Sequence, residues 1–490
     1  MIKRLYILIL PLLLVACNNR PSHPEVVSEL PPIQPDYIGV CVPADIAPLN
    51  FGAAADCDRL DVVVRGRQGR ELHVNGSCAD FNLDDWHALL RQNCGDSLIV
   101  TVCMRRDGRW TQYQPFAIHV SADSLAAWGV TYRLVPPGYE AYGAMGIYQR
   151  DLSSFDETPI LENRFVSTNC VNCHTTSGAF DAGFTFHVRG SHGATIVSHG
   201  DALDVYAPRN EQLGGGLVYP YWHPSGRYIA YSTNSTHQLF HQLAGKRVEV
   251  YDERSDIVLF DTQSRQLLLD SLLATTSHLE NYPVFSPDGQ WLYYCTAERV
   301  DTVWQDYRDI RYSICRVAFD PSTASFGTKV DTLVHARKTM KSANHPRLSP
   351  DGRFLVYAQS NYGCFSIWHP EADLWMLDLE QGDTRPLTPL NSPRAESFPR
   401  WSPDGRWLLF TTRRSDGLFT QLYLAHIDAE GHASKPFCLP QKRPIEYAQE
   451  TIYSFNTPDF ATAPIHLSQR ELANRLIAPE RQTVPLRTLP

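Results

Sequence analysis

The sequence has no apolar run long enough to cross a bilayer. The longest, Leu5 to Ala16, is 12 residues, against the roughly 20 that a spanning helix needs. It has no basic run either: 44 Lys and Arg are interspersed with 53 Asp and Glu, for a net charge of −9. That balance offers no electrostatic footprint for nucleic acid, which is therefore not an expected partner. Methionine is scarce, and Met145 is the only one within 40 residues of Cys170. Closely spaced cysteines are scarcer: of 12, only Cys170 and Cys173 stand three apart. A zinc site of the C-x₂-C…C-x₂-C kind thus lacks its second pair. No nucleophile–base set stands out, so no catalytic residue is assigned.

The short apolar run has another use. Lys3 and Arg4 precede it, which is the pattern of an export signal. Leu14-Val15-Ala16-Cys17 resembles a bacterial lipobox, which implies cleavage before Cys17 and lipidation of it. Asn18 then favours the outer membrane, on its periplasmic or surface face. Residues 1–17 are expected to be signal peptide and lipobox, and 18–36, rich in proline and polar groups, a flexible tether. An exported chain tolerates twelve cysteines. Setting aside Cys17, Cys170 and Cys173 leaves nine, so at least one is free if the rest pair internally.

Self-similarity organises the second half. Four segments align: "YPYWHPSGRYIAYST" from Tyr219, "YPVFSPDGQWLYYCT" from Tyr282, "HPRLSPDGRFLVYAQ" from His345 and "FPRWSPDGRWLLFTT" from Phe398. His223, Ser286, Ser349 and Ser402 hold one place in each, 63, 63 and 53 residues apart. Pro-Asp-Gly suits a type I turn, with proline presetting φ at the second position and glycine at the fourth. The apolar residues that follow, such as Trp291 to Tyr294, favour a buried strand. Further strand-like runs come behind each hairpin, as at 256–261 and 265–270. Four strands per repeat make a propeller blade. The repeated turn resembles that of TolB-like (WD40-like) propellers, over about residues 219–440. The resemblance implies a β-propeller, expected over 191–465 with five or six blades. Residues 183–206 are expected to supply a blade closed by "TIYSFNTPDFATAPI". Turn chemistry alone explains the acidic turn residues, without a bound cation.

Residues 37–137 alternate in the strand manner and read as an antiparallel β-sandwich. Within them "NLDDWHALLRQ" predicts a short helix after Asn82, with Asp84 or Asp85 in its first turn. The segment 138–190 lacks periodicity and reads as a connector. Residues 466–490 read as a C-terminal tail.

That connector contains "VSTNCVNCHTTS", residues 166–177. A redox dithiol would want a helix start or a positive neighbour, and Asn169 and Asn172 give neither. A zinc site would have to recruit His187 and His192. C-x-x-C-H is, however, the signature of c-type haem attachment. One covalent haem c is the resulting expectation, tethered by Cys170 and Cys173 with His174 as the iron ligand. Such attachment occurs outside the cytoplasm, in keeping with the export signal. For the sixth ligand His187 comes first and Met145 second, ahead of His192 and His199. Arg189 is placed to pair with a propionate.

The expected protein is therefore mainly β: an antiparallel sandwich, then a TolB-like propeller, lipid-anchored in the cell envelope. The haem would transfer or sense electrons, and the propeller would dock an envelope protein or a glycan. Peroxidase-like activity would follow from an open distal side. The alternative is a non-haem scaffold or binding lipoprotein whose propeller takes the partner and whose CVNCH is a disulfide or metal staple.

Overall fold

Pro287, Asp288 and Gly289 turn the chain as their sequence predicts. Gly289 N–H donates to Ser286 O at 2.9 Å, and Gly289 adopts φ +71°, where a Cβ would be strained. Gly226, Gly352 and Gly405 close the equivalent turns in the same way. The turn carboxylates are consumed locally: Asp288 accepts from Ser286 Oγ at 2.5 Å and from Gln290 N at 3.0 Å. Each turn joins two antiparallel strands, and these hairpins are the inner halves of blades.

The computed structural model describes residues 21–489 apart from 137–142, 167–168, 179–182, 200–201, 208–211, 244–245 and 479–481. Residues 1–20, with the expected signal peptide and Cys17, lie outside the described residues. Six sheets with a four-strand core form a β-propeller. Blade 1 comprises Gly129–Val135, Gly146–Asp151 and Glu157–Glu162, and blade 2 runs from Cys170–Thr176 to Ala202–Tyr206. Blades 3 to 6 begin at Leu217–Trp222, His278–Phe285, Ser342–Leu348 and Glu396–Trp401. The innermost strand of blade 1 is Ser454–Ala461, paired antiparallel with Gly129–Val135. The last propeller strand thus closes the ring onto the first blade. Each innermost strand packs against those of its two neighbours, all the way round.

Several sequence-based boundaries move. The propeller starts at Gly129, inside the expected sandwich, and the expected connector is blade. The C-terminal segment closes blade 1; blade 2 (170–206) is complete without it. The expected tether is ordered in part: Ile33–Gln34 pairs with Gly52–Ala53, and Ile33 is buried. The expected tail holds a helix, Gln469–Ile477, that buries Leu472, Ala473 and Leu476. Its strand Leu486–Thr488 then adds in parallel to blade 3.

The first domain has a seven-stranded and a three-stranded sheet, mostly antiparallel, with parallel pairs at two edges. Its helix, Leu83–Gln92, is capped by Asn82, with Asp84 and Asp85 in the first turn as expected. One apolar core runs from Tyr37, Val62 and Trp86 into Trp407, Leu424 and Phe437 of blade 6. Trp407 Nε1 donates to Ser124 O at 2.9 Å across that boundary. The sandwich is therefore fixed to the side of the propeller. Among the described residues no helix is long and apolar enough to cross a membrane.

Candidate functional site: the central channel and a side pocket

Every innermost strand carries the same local distortion. Cys173, Tyr219, Tyr282, His345, Phe398 and Thr457 have φ between +44° and +52°, one in each blade. Strand register slips at each of these points, so each is a β-bulge facing the propeller axis. The next residue is proline in five blades, at 220, 283, 346, 399 and 458. In blade 2 it is His174. CVNCH is thus the innermost strand of a blade, in register with the repeats that carry Pro-Asp-Gly turns.

That placement decides what its side chains can reach. Cys170 and Cys173 are buried, and the Cys173 thiol is held above its usual pKa by burial. Arg133 Nη2 donates to Cys170 Sγ at 3.0 Å and lies 3.5 Å from Met145 Sδ. Arg189 is the cross-strand partner of Cys170. His174 Nε2 is 3.1 Å from Thr131 Oγ1, its Nδ1 has no partner, and burial lowers its pKa to about 4. His187 is committed elsewhere: Nδ1 meets Thr195 Oγ1 at 2.9 Å, and a Cβ on Gly216 would strike Nε2. Burial lowers its pKa to about 3. His192 sits in the following turn with its backbone N–H on Asn169 Oδ1, and His199 ends the third strand of blade 2.

The structure brings Met145 close to Cys170 and leaves His187 in the blade. The cavity beside Cys173 and His174 measures about 20 Å³, whereas pockets for drug-sized ligands run to about 300–1,000 Å³. A haem does not fit between the described residues around CVNCH. Nor does a zinc set assemble there. Among the described residues, the one trio of His, Cys, Asp or Glu at metal-binding distance is Asp428, Glu430 and His432 on an exposed turn.

The channel carries residues that the sequence reading missed. Tyr219, His345, Phe398, Arg347 and Arg400 line the same cavity as Cys173 and His174. Burial and the nearby Arg400 lower Arg347 to a pKa of about 9. Arg400 Nε lies 3.6 Å from Asp459 Oδ1 on the closing strand. Asp459 also accepts from Thr175 Oγ1 at 2.6 Å and Thr176 N at 3.1 Å. One signal was available: Asn-x-Pro or Asn-x-His recurs at 172, 281, 344 and 456.

A long hairpin, Tyr228–Leu243 and Lys246–Asp261, reaches from blade 3 onto blades 4 and 5. Its buried Asp252 accepts from Asn234 Nδ2 at 2.6 Å, Thr236 Oγ1 at 2.7 Å and Asn281 Nδ2 at 2.9 Å. Burial raises Asp252 to a pKa of about 6. Its Glu249 accepts from Tyr362 Oη at 2.6 Å.

The larger open volume lies elsewhere. A cavity of about 410 Å³ opens between blade 1 and the helix Pro444–Glu450. Arg150, Phe155, Glu157, Lys442 and Tyr447 are on its wall. Arg150 Nε and Tyr447 Oη are buried without hydrogen-bond partners.

No family model matches the chain. Over 77 residues, 16% of this chain and 10% of the relative, it is 36% identical to an uncharacterized peptidase, YuxL, of Bacillus subtilis. The match therefore spans about a tenth of that protein's length. A structure described as TolB from Agrobacterium tumefaciens aligns over 64% of this chain and 92% of its own, at 14% identity and TM-score 0.35. Hydrazine synthase of Kuenenia stuttgartiensis aligns over 70% of this chain and 48% of its own, at 11% identity and TM-score 0.43. These likenesses accompany a propeller fold and assign no activity.

Proposed function

We propose that the protein is a non-haem binding propeller of the cell envelope that takes a saccharide unit of a glycan in its side pocket. Its CVNCH segment serves as an innermost blade strand. What supports this is where the open volume lies: about 410 Å³ beside Arg150 and Tyr447, against about 20 Å³ at CVNCH. The larger volume is of ligand size, with an aromatic wall and unpartnered polar groups that suit a polar ring. Envelope residence rests on the export pattern of the first 17 residues.

On a glycan array, the wild type is expected to retain oligosaccharides that Phe155→Ala binds about tenfold less tightly, as for loss of one aromatic contact. An empty array, or equal signal from both proteins, would remove the saccharide reading.

Covalent haem is the competing reading, and the closeness of Met145 to Cys170 speaks for it. It would require the first strand of blade 2 to leave its sheet. A haem stain of denatured protein, made in a host with active cytochrome c maturation, separates the two. No stain is expected. A stained band that disappears in a Cys170→Ala/Cys173→Ala control would establish haem and overturn the proposal.

A further inference from the structure

The central channel holds more positive charge than negative. Arg347 and Arg400 occupy the same place in neighbouring blades, two residues past the bulge. Asp459 is the carboxylate that stands with them, and Arg400 is its ion-pair partner at 3.6 Å. Among the described residues Arg347 makes no ion pair. Its Nη1 donates to Pro346 O at 2.6 Å, and its guanidinium carbon lies 5.5 Å from the Tyr221 ring centre. Neither contact neutralises it. A buried cation without a counter-charge is unfavourable unless something supplies one.

The cavity wall shows where that something would sit. His174 Nδ1, His345 Nε2 and Arg347 Nε are all buried and without a hydrogen-bond partner. Both imidazoles are only 2% exposed. The second ring nitrogen of each is already engaged, by Thr131 Oγ1 and by Asn344 Oδ1. Thr131 Oγ1 can donate to His174 Nε2, so neutral His174 can present Nδ1–H to the cavity. Asn344 Oδ1 only accepts, so neutral His345 keeps its proton on Nδ1 and its Nε2 carries a lone pair. The cavity itself is about 20 Å³, where a single water needs about 10–15 Å³.

We propose that the channel binds one monovalent anion of halide size, seated between Arg347 Nε and His174 Nδ1. One negative charge pairs with Arg347, and Arg133 and Arg189 near Cys173 add to the positive field there. An oxyanion would exceed the space. A water molecule would satisfy the donors and leave the charge uncompensated. The site shares no residue with the side pocket, so it stands or falls separately from the saccharide reading.

The test is thermal unfolding of the whole chain at constant ionic strength, with sodium gluconate exchanged stepwise for sodium chloride. The wild type is expected to show a saturable rise in Tm of a few degrees, because the anion binds the folded state alone. Arg347→Met removes the surplus charge and is expected not to respond. No saturable rise in the wild type, or an equal one in Arg347→Met, would overturn the site. Crystals of the wild type soaked in bromide give a readout that needs no variant. An anomalous peak within hydrogen-bond reach of Arg347 Nε is expected, and its absence would also overturn the proposal.

Discussion

Replacing Asp459 with alanine is expected to cost about 3–5 kcal/mol of stability, the range for removing one partner of a buried ion pair. Asp459 lies on the strand that closes the ring, and it fastens that strand to both neighbouring blades. Thr175 and Thr176 of blade 2 donate to one carboxylate oxygen, and Arg400 of blade 6 faces the other. Without the carboxylate, Arg400 joins Arg347 as a second unpaired guanidinium in the channel. Urea unfolding would measure the loss. Asp459→Asn keeps acceptors for the threonines and is expected to recover part of it. A cost below about 1 kcal/mol for the alanine variant would mean that the strand ladder alone holds the ring shut.

His174→Gln is expected to change how stability depends on pH. In the native state burial keeps His174 neutral down to about pH 4, while in the unfolded chain it titrates near 6.5. Between these values the unfolded state binds the extra proton. Acidification through that window therefore favours unfolding, by about 1.4 kcal/mol per pH unit for one fully offset group. His187, with a native pKa of about 3, acts in the same direction. Buried carboxylates act in the opposite one: Asp252 is raised to about 6, and Glu280 and Glu396 to about 7. They bind protons in the folded state first, which adds stability as pH falls through 7 to about 4.5. Glu157 is raised to about 7 as well, and burial lowers His345. The carboxylates outweigh the histidines, so the wild type is expected to gain a few kcal/mol between pH 7 and 4.5. Removing one histidine uncovers the carboxylates: His174→Gln is expected to gain about 2–3 kcal/mol on the wild type over that span. Parallel profiles from urea titrations at the two pH values would show that His174 titrates normally.

Local chemistry was legible in the sequence and assembly was not. The three Ser-Pro-Asp-Gly turns and the His-Pro-Ser-Gly turn at 223–226, the strands behind them and the Asn82-capped helix all formed where short-range rules placed them. Blade 1 escaped, and blade 2 was read only from residue 183 onward without its innermost strand, because both lack that turn. Blade 2 joins its inner strands through "SGAFDAG", and blade 1 borrows its inner strand from residues 454–461. Cys170, Cys173 and His174 formed a compact motif, and their spacing alone favoured attachment chemistry. Their strand conformation follows from packing around a sixfold ring, which no window of a dozen residues contains. Arg347 and Arg400 were invisible for the same reason. They are 53 residues apart in the chain and meet because equivalent positions of adjacent blades converge on the axis.

The borrowed strand also sets a schedule for making the protein. Gly129–Val135 is complete early, yet 318 residues separate it from its partner Ser454–Ala461. At about 5–20 residues per second, synthesis leaves that edge unpaired for tens of seconds. An unpaired strand edge is a template for joining another chain. For much of its production the protein is an open arc of blades with a bare edge at its start. Whatever shields Gly129–Val135 in that interval protects the chain from its most exposed moment.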